Sequence, residues 1–145
     1  MLNLVEIQDA IFEELEDTLA VPVFEQAIPD ANTVRKVDGK VQPYLAIQFG
    51  DLQDRVSGRG FTGVRSNDYE LPIYVQVVAA DPRTARKIAS APVLDTMLGL
   101  SLDWTGEVRK RPGGGMWPIV NSNGATEAYL APSSWGVTVQ LVEVA

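Results

Sequence analysis

The apolar positions change period along the chain, and those changes mark its elements. Leu4, Val5, Ile7, Ile11, Phe12, Leu15 and Leu19 recur at helical spacing, while Glu6, Asp9, Glu13, Glu14, Glu16 and Asp17 take the other side. The pattern predicts an amphipathic helix over 4–19. Asn3, with Glu6 three residues later, makes a capping-box start for it. Residues 21–24 read as a short extended segment. Residues 28–39 read as loop or hairpin, with Asp38-Gly39 as the turn. Leu45, Ile47 and Phe49 then alternate with Tyr44, Ala46 and Gln48, which predicts a strand within 41–50. Pro43 belongs near its start or on an edge. Tyr69, Leu71, Ile73, Val75 and Val77 alternate in the same way and predict a strand over 68–79.

Asp81-Pro82 is an N-cap followed by a first helical residue. Ala85, Ile88 and Ala89 continue one apolar face. Pro92 kinks or restarts the helix, and Gly99 ends it. A further strand is expected over 102–108. Residues 109–115, Arg-Lys-Arg-Pro-Gly-Gly-Gly, read as a basic, flexible loop. Residues 116–120, 126–130 and 135–144 read as three separate extended segments. No internal repeat or linker divides the chain, so 1–145 is expected to be one domain. The order of elements predicts an α+β fold: a mostly antiparallel sheet, two main helices packed on one face, and projecting loops.

Composition narrows the chemistry. The 145 residues contain no Cys and no His. Disulfides, thiolate nucleophiles, most zinc sites and any Ser-His-Asp or Cys-His arrangement are therefore excluded. Carboxylates, Lys and Tyr remain as possible catalysts, but no enzymatic motif is assembled from them. The expectation is a protein that is not an enzyme, with no catalytic residues, metal or cofactor. There is no apolar run long enough to span a bilayer and no basic start to a signal peptide, so use in a cytoplasm, away from membranes, is expected.

Charge changes the picture most. The first thirty-four residues hold eight acids and no Lys or Arg, so the net charge of −7 originates there. The acid face of the first helix has no cation at i+4, and Glu16 and Asp17 stand at the unfavourable end of the helix dipole. Glu13, Glu16 and Asp17 are thus candidates for a partner-facing surface. A hard-cation site among these acids lacks the converging oxygens it would need. A sequence pI near 4.5 argues against general nucleic-acid binding.

Residues 51–67 form a Gly-rich excursion or hairpin arm with Arg55, Arg59 and Arg65. Gly58-Arg59-Gly60-Phe61-Thr62-Gly63 spells G-x-G-x-x-G, but a strand pattern follows where a dinucleotide site needs a helix. A flexible loop is the plain alternative. An assembly arm is the third reading, with Phe61 as its apolar anchor. Arg109, Lys110 and Arg111, with Trp117 close behind, make a second candidate interface; a solvated turn is its plain alternative.

The acidic capped helix, the strand around 43–49, the Arg/Gly loop, the strand over 70–78, the Asp81-Pro82 helix and the strand beginning Trp135-Gly136-Val137 together resemble the tail terminator proteins of long-tailed bacteriophages and related minor tail proteins. The resemblance lies in pattern and order over nearly the whole chain, not in a diagnostic motif. It implies a structural virion protein that forms a homohexameric ring on the head-proximal end of the tail tube. That ring stops tube polymerisation and meets the head-tail connector or stopper protein. DNA passes through the lumen without specific binding, and assembly takes place in the host cytoplasm. Neighbouring roles, as connector, head-completion protein or tube subunit, share the fold. A different class, a small Mg-dependent carboxylate enzyme or a nucleotide-binding regulator, is the competing reading.

Overall fold

The computed structural model describes residues 4–25, 36–54, 68–100, 105–112, 115–120 and 123–140. They form helix α1 (Leu4–Thr18) and strands β1 (Val23–Glu25), β2 (Lys36–Val37), β3 (Lys40–Val41), β4 (Tyr44–Phe49), β5 (Gln53–Asp54) and β6 (Asp68–Ala79). Helices α2 (Pro82–Ser90) and α3 (Pro92–Leu98) follow, then strands β7 (Thr105–Arg111), β8 (Trp117–Val120) and β9 (Thr126–Gln140). The architecture is α+β, with a mixed, mostly antiparallel sheet and helices contacting it.

Two long strands organise the sheet. β6 and β9 pair antiparallel along the whole of β6, from Asp68↔Gln140 to Ala79↔Tyr129. Each is too long for one outer neighbour and carries two short ones. β4 and β5 line the outer side of β6, and β7 and β8 line the outer side of β9. β1 closes one edge, parallel to β4.

The strand prolines fall where this arrangement tolerates them. The Gly50 N–H donates to the Pro72 carbonyl at 2.9 Å, and the β4 register ends at Phe49↔Ile73. A strand residue aims its N–H and carbonyl to the same side, so the donor Pro72 lacks would have faced the gap before β5. Pro132 likewise lies between the ends of β8 and β7, whose pairings with β9 stop at Leu130 and Ser134. The predicted segments 126–130 and 135–144 are therefore one strand as far as Gln140, and 141–145 lie outside the described residues.

Side chains of β6 and β9 sort by the pleat. Leu71, Ile73, Val75, Val77 and Ala79 face the helices together with Ala131, Trp135, Val137 and Val139. Ile7, Ile11 and Leu15 of α1 are fully buried against them, as are Ala85 of α2 and Val93 and Met97 of α3. Burial of each large aliphatic side chain contributes about 1.5–3 kcal/mol. Val5, expected on this face, is 63% exposed. It lies about a third of a turn from the centre of the Ile7–Ile11–Leu15 stripe, beyond the reach of the sheet.

The opposite sheet face holds a smaller cluster. Val41, Tyr44, Val78 and Ala128 are buried there, with Phe24, Ile119 and Leu130 packed against them. Phe24 and Tyr44 meet edge to face, with centroids 5.7 Å apart. The hairpin β2–β3 stands at this end. Its turn is Asp38-Gly39, both residues with positive φ, as a two-residue primed turn requires.

Candidate functional site

The acid side of α1 is a solvent-facing surface. Glu6, Asp9, Glu13, Glu14, Glu16 and Asp17 are all exposed, and the last turn of α1 has no basic residue. Glu13, Glu16 and Asp17 sit at i, i+3 and i+4 and so share one side of the helix. Asn3, Arg55, Arg59, Phe61 and Arg65 lie outside the described residues, so the proposed arm has no geometry here.

The basic run 109–111 is not a loop. Arg109, Lys110 and Arg111 belong to β7, paired with Gly136, Trp135 and Ser134 of β9. Charged side chains are at home there because β7 is an edge strand with solvent beside it. Strand geometry then divides the run. Arg109 and Arg111 stand on the open face of the sheet, and Lys110 on the helix side. The three cations therefore do not make one patch.

Arg111 is also already occupied. Its guanidinium grips the Glu70 carboxylate, with Nε donating to Oε1 at 2.7 Å and Nη2 donating to the same oxygen. The pair reaches over β9 at Gly136. A Cβ there would collide with the Glu70 carboxylate, whose Cδ lies 2.9 Å from its ideal position. Gly136 thus leaves room for the side-chain crossing above it. Trp117, in the edge strand β8, is 61% exposed and leaves an aromatic surface free for contact.

Two features escaped the sequence reading. The first is a cleft of about 520 Å³ lined by Lys36, Gly39, Lys40, Ala80, Asp81, Thr126 and Glu127. Its charges are largely matched. Lys36 Nζ lies 2.6 Å from Glu127 Oε1 and ties the hairpin to β9. Asp81 Oδ1 and Oδ2 accept from the Thr84 N–H and hydroxyl, each at 2.8 Å. Those bonds lower the Asp81 pKa, with Lys40 adding a small push in the same direction.

The second is the outer side of α2. Arg83, Arg86 and Lys87 are exposed and, with Ser90, line a shallow depression. Their i, i+3, i+4 spacing was readable once Asp81-Pro82 had fixed the helix start. Among the described residues none of the three ends on a carboxylate, and no group of three Asp or Glu converges as a metal set.

Comparison with the models of known protein families and with curated proteins gives no match to this chain.

Proposed function

We propose that this chain is a structural virion protein: a ring that caps the head-proximal end of a phage tail tube, ends its polymerisation and joins the tail to the head connector. The observation that carries the reading is the exposed acid face of α1, which has no compensating cation in its last turn. Clustered like charge on one helix face is locally unfavourable unless something else brings cations to it. The α+β fold with helices on one sheet face agrees with what the resemblance implies. On this reading the partners are further copies of the chain, the tail tube protein and the connector protein. The chain works by surface complementarity rather than by catalysis, and DNA crosses the lumen without specific contacts.

Electron microscopy of tail tubes polymerised with and without the chain tests this. One ring of the chain at one end, with tube length arrested, is the expected result. Chain density repeating along the tube, or tubes that grow unchecked in its presence, would refute it.

A further inference from the structure

The two charged helix faces belong to separate helices of one layer. The sheet order runs β1-β4-β6-β9-β7. α1 touches β1 at one edge, while α2 packs on β6 and β9, and α3 reaches β7 at the other edge. The acid side of α1 and the base side of α2 are both solvent-exposed. Their charges share one spacing: Glu13, Glu16 and Asp17 repeat the i, i+3, i+4 pattern of Arg83, Arg86 and Lys87. Among the described residues, none of these six side chains has an ion-pair partner within its own chain.

We infer that the acidic triad of α1 docks on the basic triad of α2 in a second copy of this chain. The inference rests on the ring reading above and assigns its subunit interface. Two patches of opposite sign and matched spacing attract each other, whereas acid on acid or base on base is repelled. Because the patches differ, each docked copy leaves one acidic and one basic face free. Such a heterologous contact repeats in one sense and closes into a ring when the rotation allows. The basic triad is thereby assigned to protein and not to nucleic-acid phosphate, in keeping with the net charge of −7.

Sedimentation and native mass measurements on the full chain, at low and high ionic strength, test this through charge reversal. One variant carries Glu13→Lys, Glu16→Lys and Asp17→Lys; another carries Arg83→Glu, Arg86→Glu and Lys87→Glu. Each alone should weaken self-association at least tenfold. Combining all six changes should restore it, and so should mixing the two variants. A triple change of Arg83, Arg86 and Lys87 to Gln should weaken association less than reversal does, and circular dichroism reports whether each variant is folded. Oligomers that persist unchanged in both reversed variants overturn this interface while leaving the ring reading in place. A basic-triad variant that assembles normally but loses binding to duplex DNA overturns it in favour of phosphate. A wild-type chain that stays monomeric at every ionic strength overturns both the interface and the ring.

Discussion

Gly136 shows how one residue can be set by a contact made above it. Glycine in a strand interior ordinarily weakens the strand, so an alanine there should help if nothing stood in the way. Here the Glu70–Arg111 pair occupies the space a Cβ needs. Both are the ends of flexible, partly exposed side chains that can swing aside, so Gly136→Ala should cost no more than the ion pair it displaces, about 0–1 kcal/mol. In a Glu70→Ala background the same change should become neutral or stabilising, a sign change that a double-mutant cycle by urea unfolding would reveal. If the cost is the same in both backgrounds, Glu70 is not what excludes the side chain. Ser133 makes a second case. Buried in β9, it donates to the Val75 carbonyl at 3.1 Å and accepts from the Trp135 indole N–H at 2.9 Å. Ser133→Ala leaves that indole donor buried without its partner, and should cost about 1–3 kcal/mol. A loss well under 1 kcal/mol would mean that the indole finds another acceptor. Neither position was legible beforehand. Alternation placed Trp135 correctly on a strand, but a contact between residues 70, 111 and 136 depends on pairing registers that periodicity does not carry.

At the scale of elements, local chemistry was legible and partnership was not. The 3.6-residue stripe located α1, period-two alternation located β4 and β6, and Asp38-Gly39 and Asp81-Pro82 marked a turn and a helix start. Each signal is written within a few adjacent residues. β7 and β9 were misread at their ends because the deciding facts lie elsewhere in the chain. Arg109–Arg111 extend a strand because β9 is long enough to pair them, and Pro132 sits inside a strand because β8 and β7 leave a gap beside it. Asp81 offers a test of a local device. Its pKa is lowered chiefly by the Thr84 N–H and hydroxyl. A carboxylate held below its ordinary value of 3.8 contributes stability above that value and loses it as pH falls through the folded pKa. Asp81→Ala should therefore lower the urea midpoint at neutral pH, and the gap from wild type should narrow as the solution is acidified below the ordinary aspartate range. A gap independent of pH would show that the ionised cap is not the source. Tyr44 has the opposite sense. Burial, aided by the Glu127 charge, raises its pKa above 10.0. The folded state then holds the phenolic proton more tightly, so stability should fall as pH rises through 10.0 and upward to the folded value. In Tyr44→Phe that part of the alkaline loss should disappear.

For the whole molecule, the distribution of charge matters more than its sum. The acidic excess of the first thirty-four residues is plain in the sequence, which points to the Arg/Gly loop and the run 109–111 as its counterpart. Arg111 proved to be paired within the chain, and the loop arginines lie outside the described residues, whereas α2 presents three exposed bases. Tertiary structure decides which charges are left over, and those are the charges available to a partner. This yields a prediction that separates folding from assembly. Glu16 and Asp17 occupy the last turn of α1, where the helix dipole disfavours anions. Replacing both with Lys should stabilise the isolated monomer, by roughly 0.3–1 kcal/mol for each favourable charge at a helix end. The same change removes two members of the acidic triad, so it should weaken self-association. Thermal unfolding of the dilute monomer and sedimentation at higher concentration would then move in opposite directions. A variant that gains monomer stability and still assembles as wild type would show that these acids are ordinary solvated surface. Opposite movement would mean that the chain keeps unfavourable charges on α1 because their favourable partners lie on another molecule.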